Sequence, residues 1–215
     1  MSRLRVVRTL LKSDRMKSKP EAEDGVAAAA VDYGNRTIVL VGLMGAGKSS
    51  VGRRLAAALN LPFRDADTEI ETASNMTIPD FFELHGEAAF RDGERKVIAR
   101  LLDEPRHVLA TGGGAFMDPE TRRLIADKGC AIWLRADLDV IYKRCMKRNN
   151  RPLLKTGNPR EILQRLMNER YPVYAEADII VDSGDGPHEI VVDKIISALT
   201  NSAPEGRLHE NAGNK

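Results

Sequence analysis

A glycine-rich stretch, GLMGAGKSS (42–50), directly follows the apolar run TIVLV (37–41), and this pairing limits the folds open to the chain. The apolar run is rich in β-branched residues and has no polar alternation, which is typical of a strand buried on both faces of a parallel sheet. Helical periodicity begins near Lys48, so a buried strand is expected to pass through a tight turn into a helix. The apolar residues predicted to share one face of that helix are Val51, Leu55, Ala58 and Leu59.

The turn matches the pattern G-x-x-x-x-G-K-[ST] from Gly42 to Ser49. Small residues allow backbone N–H groups to surround a phosphate, and the start of the following helix adds its positive end. The pattern predicts that Lys48 reaches the β- and γ-phosphates of a nucleotide and that the Ser49 hydroxyl faces Mg²⁺. A turn with chance glycines is the alternative, and the flanking strand and helix argue against it. The residues expected along bound ATP are Gly42, Met44, Gly45, Ala46, Gly47, Lys48, Ser49 and Ser50; the Met44 and Ser50 side chains are given no chemical role.

The rest of the chain alternates between strand-like and helix-like segments. Strand-like runs recur at PFRDAD (62–67), HVLATGGG (107–114), AIWLRA (131–136) and ADIIVDS (177–183), and helical periodicity follows each of them. This alternation predicts an α/β sandwich of three layers, with a parallel sheet between helices. Helix starts are predicted from capping patterns at Thr68 (with Glu71), Thr77 (with Asp80), Asp137 and Asn158 (with Glu161).

The positive charge of the chain is concentrated at its start. Residues 1–20 contain seven Lys or Arg and one Asp, a balance of +6, so the net charge of +2 leaves −4 for the remaining residues. A basic leader over 1–35 and a polar tail over 201–215 are expected to be disordered, on either side of a folded domain at 36–200. An organelle transit peptide is the alternative for the leader, but the segment KPEAED is acidic, which such peptides avoid.

Composition gives little support to other classes of function. Cys130 and Cys145 lack metal-site spacing and the four histidines are scattered, so a reduced, cytoplasmic protein is expected, with plastid targeting by the leader as the alternative. No run is long and apolar enough to span a membrane. Aromatic residues are sparse, so nucleic-acid binding is not expected and would rest only on the basic leader. A monomer is expected.

Two stretches that follow predicted strands carry residue types suited to a phosphate acceptor. Asp65 and Asp67 come at the end of the second strand, where the carboxyl ends of parallel strands face the ligand crevice. One carboxylate could support the metal and the other could accept a hydroxyl proton, or both could merely serve the turn and the next helix cap. The stretch TGGGA (111–115) allows a substrate to lie against bare backbone, with a tight turn as the alternative.

Three arginines complete the candidate site: Arg91 on a long predicted helix, Arg151 in NNRPLL (149–154) and Arg170 in NERYPVY (168–174). A guanidinium group binds carboxylates and phosphates in a two-pronged manner. The alternative for Arg91 is an i,i+4 ion pair with Glu87 on a solvated helix face. The polar segment around Arg151 contains Pro and Gly, and this composition predicts a mobile lid over about 149–158.

In order along the chain, the segments GLMGAGKSSVGRRLA, DAD, HGEAAFRDGE, TGGGA, RPLL and RYPVYAEAD resemble those of shikimate kinases, small P-loop kinases of the nucleoside monophosphate kinase type. The resemblance covers about 37–199, and its specificity lies in the ordered set. It implies a five-stranded parallel sheet in the order 2-3-1-4-5, a substrate domain and a lid. It also implies ATP- and Mg²⁺-dependent phosphorylation of the 3-hydroxyl of shikimate, a step towards the aromatic amino acids.

On the acceptor side, the resemblance implies that Asp67 contacts the ring hydroxyls, as the base, and that Arg91 and Arg170 bind the shikimate carboxylate. The substrate wall that it implies consists of Gly112, Gly113 and Gly114. A kinase of another hydroxy acid, such as gluconate, is the alternative, although it is not expected to combine FRDGE, TGGGA and RPLL.

On the nucleotide side, the resemblance implies that Arg144 stacks on adenine and that Arg151 contacts the transferring phosphate. Lys48 joins Asp67 and Arg151 as a catalytic residue, while Ser49 and Asp65 would lie on the Mg²⁺ side. The alternative of a non-catalytic nucleotide switch would be favoured by loss of Lys48, Asp67 or Arg151, and all three are present in the sequence.

Overall fold

The computed structural model describes residues 36–147 and 157–201. The predicted leader, Arg151 with most of the predicted lid, and the tail from residue 202 onwards lie outside the described residues. No helix of the described part is both long enough and apolar enough to cross a membrane.

A five-stranded parallel sheet forms the centre of the fold, in the order β2-β3-β1-β4-β5. Its strands are β1 (Thr37–Val41), β2 (Phe63–Asp65), β3 (Val108–Ala110), β4 (Gly129–Arg135) and β5 (Ile179–Asp182). In the register of the central strands, Val39 lies opposite Leu109 and Ala131. Every residue of β1 is buried, as its unbroken apolar pattern predicts. The sheet order that the resemblance implies is confirmed.

Helices cover both faces of the sheet. They are α1 (Lys48–Ala58), α2 (Ala66–Ser74), α3 (Ile78–Leu102), α4 (Pro119–Lys128), α5 (Leu138–Met146), α6 (Pro159–Tyr174) and α7 (His188–Asn201), with a 3₁₀ turn at Ala115–Met117. The core divides along β1: Val39 and Val41 pack with side chains of α3 to α6, whereas Ile38 and Leu40 pack with α1 and α7. Complete burial of each such side chain contributes about 1.5–3 kcal/mol. The three-layer prediction is therefore confirmed.

One predicted helix face differs from the observed one. The buried residues of α1 are Val51, Gly52, Leu55 and Ala56. Ala58 is exposed, so its assignment to the apolar face was wrong. The reason is the close approach of α1 to the sheet at Gly52, where a Cβ atom would lie 2.6 Å from the Phe63 ring. This contact sets the rotation of the helix.

The cap patterns gave mixed results. Thr77 accepts from the Asp80 N–H at 3.3 Å and Asn158 accepts from the Arg160 N–H at 3.0 Å, as predicted. Asp137 occupies its predicted cap position without a side-chain capping bond. The prediction at Thr68 was wrong because Asp65 caps α2 three residues earlier.

Candidate active site

The glycine-rich turn closes over the start of α1. Gly45 and Gly47 have φ angles of 83° and 100°, in the left-handed region that favours glycine. Lys48 Nζ donates to the carbonyl oxygens of Gly42 at 2.7 Å and Leu43 at 3.1 Å. The turn therefore combines an ammonium group with the positive end of a helix, which is an arrangement suited to a chain of phosphates.

A hydroxyl and a carboxylate meet beside this turn. Ser49 Oγ donates to Asp65 Oδ2 at 2.6 Å, and the other oxygen of Asp65 accepts from the Asp67 N–H at 3.2 Å. Asp65 thus caps α2, as one alternative for this residue predicts, and it also contacts Ser49; its role on the Mg²⁺ side stays a prediction. Asp67 lies in the first turn of α2 and not on the strand, because Asp65 already ends β2.

Asp67 is exposed to solvent through a cavity, and the surrounding protein removes only part of the water around its carboxyl group. Desolvation raises its pKa above the ordinary range of aspartate, and the negative charge of Asp65 adds to the rise. Lys48 and Arg91 act in the opposite direction with smaller effects. A carboxylate with a raised pKa can take up a proton more readily than an ordinary aspartate.

Three successive glycines form a wall that contacts several parts of the site. A Cβ atom at Gly112 would lie 2.6 Å from Glu94 Oε1 and 2.9 Å from Asp67 Oδ1. At Gly113 it would lie 3.3 Å from the backbone nitrogen of Met44, in the glycine-rich turn. A side chain at Gly112 would displace the Glu94 and Asp67 carboxylates, and one at Gly113 would press on the backbone of the turn. We call Gly112, Gly113 and Gly114 the glycine wall.

Arg91 approaches the third residue of the glycine wall. A Cβ atom at Gly114 would lie 2.6 Å from Arg91 Nη1. The same nitrogen donates to Glu94 at 2.7 Å, and Nη2 donates to Glu87 at 3.4 Å. The Glu94 side chain is only 4% exposed, and burial raises its pKa even though Arg91 acts to lower it. Arg91 therefore has the predicted helix-surface pair, but its shorter ion pair is with a buried carboxylate.

Two side chains of α6 hold the middle of the glycine wall. Arg170 Nη1 donates to the Gly113 carbonyl oxygen at 2.9 Å, and the Tyr174 hydroxyl donates to the same oxygen. Tyr174 is fully buried, which raises its pKa to about 12. The Arg170 Nε is buried and has no hydrogen-bond partner within the described residues. It is therefore a donor that a bound anion could use.

The glycine-rich turn opens into a cavity of about 490 Å³. Its lining residues are Met44, Gly45, Gly47, Lys48, Ser49, Ser50, Asp67, Thr111, Gly113, Arg144, Lys147, Asp185, Gly186 and His188. The cavity thus runs from Asp67 and the glycine wall, past the turn, to the loop before α7. This volume is within the range of small-molecule sites.

Arg144 lies at the end of the cavity away from Asp67. Its Nη1 is 3.1 Å from Ser183 Oγ and 3.3 Å from the Ala46 carbonyl oxygen, and its Nη2 donates to the Gly184 carbonyl oxygen at 2.5 Å. These bonds lie at the edge of the guanidinium group and hold it in place. Its flat faces remain suited to stacking.

Known proteins are similar to this chain in sequence and in fold. A sequence model of the family described as shikimate kinase matches residues 44–200. The chain belongs to the shikimate kinase family. Shikimate kinases transfer a phosphoryl group from ATP to shikimate, a step towards the aromatic amino acids, and this member is accordingly a kinase.

Individual relatives agree with the family assignment. The shikimate kinase of Paramagnetospirillum magneticum is 63% identical over 164 residues, which cover 76% of this chain and 84% of the relative. That of Rhodopseudomonas palustris is 57% identical over 183 residues, covering 85% and 88%. The solved structure of the Acinetobacter baumannii shikimate kinase in complex with shikimate is 37% identical and has a TM-score of 0.75, covering 80% of this chain and 97% of that one. A Sinorhizobium meliloti gluconokinase, 20% identical with a TM-score of 0.51, covers 79% and 94% and shares the fold alone.

The predicted residues of this shikimate kinase family member fall into two groups. Asp67, Gly113 and Arg144 share one cavity with most of the glycine-rich turn. Arg91 and Arg170 contact the glycine wall without lining that cavity. The backbones of two further predicted ATP-binding residues, Gly42 and Ala46, lie behind the cavity surface, where their carbonyl oxygens accept from side chains. Arg151 lies outside the described residues and stays a prediction.

Residues of the site that were not singled out from the sequence include Glu94, Tyr174 and His188. Glu94 follows Arg91 by three residues, a spacing that places them on one helix face. That signal was available, but many i,i+3 pairs are ordinary surface pairs. Tyr174 and His188 carry no such local signal, because their contacts lie on distant segments of the chain.

Proposed function

We propose that this shikimate kinase family member transfers the γ-phosphate of ATP to the 3-hydroxyl of shikimate at the cavity that joins the glycine-rich turn to the glycine wall. The observation that carries this proposal is the set of contacts of three consecutive glycines. They approach Asp67, the glycine-rich turn at Met44 and the guanidinium of Arg91 in succession. A hydroxy acid lying along the wall would therefore meet a base, a phosphate site and a carboxylate site together.

The carboxylate of shikimate is proposed to bind between Arg91 and Arg170. Each guanidinium is already oriented, Arg91 by the buried Glu94 and Arg170 by the Gly113 carbonyl oxygen. The unused Nε of Arg170 supports a two-pronged contact. Fixing the carboxylate at this end directs the ring hydroxyls towards Asp67 and so lowers the entropic cost of reaction.

Asp67 is proposed to act as the base. As the 3-hydroxyl oxygen forms its bond to the γ-phosphorus, the bond from that phosphorus to the β,γ-bridging oxygen breaks and ADP leaves. The hydroxyl proton passes to a carboxylate oxygen of Asp67. Its raised pKa brings the group nearer to the operating pH, which favours proton uptake in the transition state.

Lys48 is proposed to neutralise the β- and γ-phosphate oxygens as charge develops on the leaving group. Arg151, for which the sequence alone argues, would add a second cation when the segment at about 149–158 closes. The predicted stack of Arg144 on adenine would hold the other end of the nucleotide, in agreement with its fixed guanidinium at the far end of the cavity.

Mg²⁺ is the proposed cofactor, and the donor set beside the turn fits it. Ser49 Oγ and the Asp65 carboxylate supply the oxygen ligands that Mg²⁺ prefers. Within residues 36–147 and 157–201, no group of three or more His, Cys, Asp or Glu residues is suited to hold a metal. This agrees with an ion held partly by phosphates and water. When bound, it would neutralise phosphate charge.

Release of ADP from MgATP tests the proposal. Shikimate, quinate, gluconate and no acceptor are assayed in parallel with the full chain. Release with shikimate alone is the expected result. Quinate and gluconate carry a carboxylate and several hydroxyls, so they test whether the ring and its hydroxyl geometry matter. Release without an acceptor, or only with gluconate, would contradict the proposed substrate while leaving the nucleotide site intact.

A further inference from the structure

A second cavity, of about 310 Å³, is lined by residues of the 3₁₀ turn, of α4, of β4 and of the segment between α6 and β5. Three apolar residues of its lining are buried in the core: Phe116, Ile125 and Ala131. Three charged residues of its lining are exposed: Arg123, Glu176 and Asp178. The second cavity therefore has an apolar floor and a charged rim, in a volume at the lower end of the range of small-molecule sites.

The rim of the second cavity offers an unpaired cation. The Arg123 guanidinium has no hydrogen bond or ion pair within the described part of the chain. The neighbouring Arg122 is already engaged, because its Nε lies 2.9 Å from Glu176 Oε2. A carboxylate that enters the cavity would therefore be bound by Arg123, whose planar fork matches the two oxygens of such a group.

The opposite charge on the rim comes from the segment between α6 and β5. Asp178 Oδ2 accepts from the Ala131 N–H at 2.7 Å, and this bond fixes the carboxylate against β4. The other oxygen of Asp178 has no hydrogen-bond partner among residues 36–147 and 157–201. Glu176 lies two residues earlier and lines the same cavity. Two carboxylates on one short segment suit an ammonium group, which has three donors to place.

We propose that the second cavity binds an α-amino acid with an apolar side chain. The carboxylate of the ligand pairs with Arg123, its ammonium group with Asp178 and Glu176, and its side chain covers the apolar floor. A zwitterion suits this rim because it meets both signs of charge and leaves neither of its own charges unpaired. An aromatic side chain also contacts the Phe116 ring, and aromatic pairs add to the gain from burial alone.

The second cavity adjoins the elements that build the acceptor end. Arg122 Nη1 donates to the carbonyl oxygens of Phe116 at 2.9 Å and Met117 at 3.0 Å. The Met117 N–H donates in turn to the Gly114 carbonyl oxygen at 3.0 Å. An ammonium group beside Glu176 weakens the ion pair of this residue with Arg122 and so loosens the turn that follows the glycine wall. Occupancy of the cavity therefore weakens shikimate binding. This coupling rests on the proposed acceptor site, whereas the second cavity does not.

Binding is tested with L-phenylalanine as the probe, in the absence of nucleotide and shikimate. Backbone amide shifts of the isotope-labelled full chain are followed by NMR during the titration, and those of Ala126 and Ala131 report on the second cavity. Hydrocinnamate lacks the ammonium group and phenethylamine lacks the carboxylate. The variants are Arg123→Gln and Asp178→Asn, which keeps an oxygen to accept from Ala131. Arg165→Gln is the matched control, because Arg165 is an exposed arginine of α6 that lines neither cavity.

We expect L-phenylalanine to bind the parent chain with a Kd of about 1 mM, the strength usual for so small a ligand. Loss of one charged contact should raise that Kd about tenfold in Arg123→Gln and in Asp178→Asn, and hydrocinnamate and phenethylamine should bind about tenfold more weakly. Arg165→Gln should match the parent. Absence of binding by the parent, equal binding of the three compounds, or parent-like binding by either charge variant would overturn the site.

Steady-state ADP release with shikimate varied tests the coupling. As L-phenylalanine is added, the KM of the parent for shikimate should rise to a plateau about fivefold higher, the lower end of the usual range for coupled sites. Arg123→Gln should require about ten times more of the amino acid for the same effect. A KM that rises without a plateau would mean competition at the acceptor end and would overturn the second cavity as the site. An unchanged KM would overturn the coupling alone. Absence of shikimate phosphorylation by the parent would contradict the proposed function, and the binding result would stand.

Discussion

The two ends of the active site are built in different ways. The phosphate end is formed by consecutive residues, Gly42 to Ser50, whose backbone and one lysine make most of its contacts. The acceptor end is assembled from the first turn of α2, from α3, the glycine wall and α6. The first end is thus a property of local sequence, whereas the second exists only when four segments pack together.

This difference leads to an expectation about mutations. Changes in the glycine-rich turn should directly impair stabilisation of the phosphates, because few residues outside the turn support it. Changes at the acceptor end should act through partners, because Arg91, Glu94, Arg170 and Tyr174 orient one another or the glycine wall.

Replacement of the proposed base gives the largest expected effect. Asp67→Asn keeps the shape of the side chain but cannot accept the hydroxyl proton, so kcat should fall about 10²–10⁴-fold. Calorimetry should still detect binding of both ADP and shikimate. A variant with near-normal kcat would exclude Asp67 as the base.

Loss of the lysine in the glycine-rich turn should have the next largest effect. Lys48→Ala removes the ammonium group that would neutralise developing phosphate charge, and kcat should fall about hundredfold. Circular dichroism and thermal unfolding serve as controls, because Lys48 also donates to two carbonyl oxygens of the turn. Shikimate affinity should remain at the parent value; a large loss there would mean that the two ends are coupled.

Alteration of the carboxylate site should affect only one substrate. Arg91→Lys keeps a cation beside the buried Glu94 but loses the two-pronged fork, so the KM for shikimate should rise about tenfold. The KM for ATP is expected to stay unchanged. Steady-state kinetics with each substrate varied in turn measure both. An effect confined to ATP would place Arg91 at the wrong end of the site.

Removal of a single buried hydroxyl should have a smaller effect. Tyr174→Phe removes one of two donors to the Gly113 carbonyl oxygen, and the KM for shikimate should rise about fivefold as Arg170 and the wall lose a constraint. Tyr171→Phe is the matched control, because its hydroxyl donates to the Ala136 carbonyl oxygen, away from the glycine wall. Both variants should unfold at lower temperature. Equal KM values in the two variants would assign Tyr174 a purely structural role.

The smallest predicted effect is a shift along the pH axis. Because Asp67 must be ionised to act, kcat/KM for shikimate should fall as the pH falls through its pKa, which lies above the ordinary value of about 3.9. Asp65→Asn removes a negative charge that raises this pKa, so the acid limb of the remaining activity should move to lower pH. A limb that stays in place, or moves to higher pH, would contradict the assignment of that limb to Asp67.

Sequence patterns were most reliable where structure depends on neighbouring residues. The helix start at Thr77 depends on a hydrogen bond three residues away, and the pattern predicted it correctly. The predicted start at Thr68 failed for a related reason, because Asp65 offers a cap at the earlier point where β2 ends. The exposed Ala58 was misplaced because the contact of Gly52 with Phe63 sets the rotation of α1, and that contact joins separate elements.

Residue types at fixed spacing along the chain were enough to predict the glycine-rich turn, the α/β class and, through the ordered set of motifs, the shikimate kinase family. Three contacts became visible in the folded chain: Glu94 pairs with Arg91 beside the glycine wall, Tyr174 and Arg170 share one carbonyl oxygen, and His188 reaches the turn at Gly47. These contacts join residues that are distant in sequence or depend on burial. The strength of these contacts comes from desolvation and close packing, and neither can be predicted from a local sequence pattern.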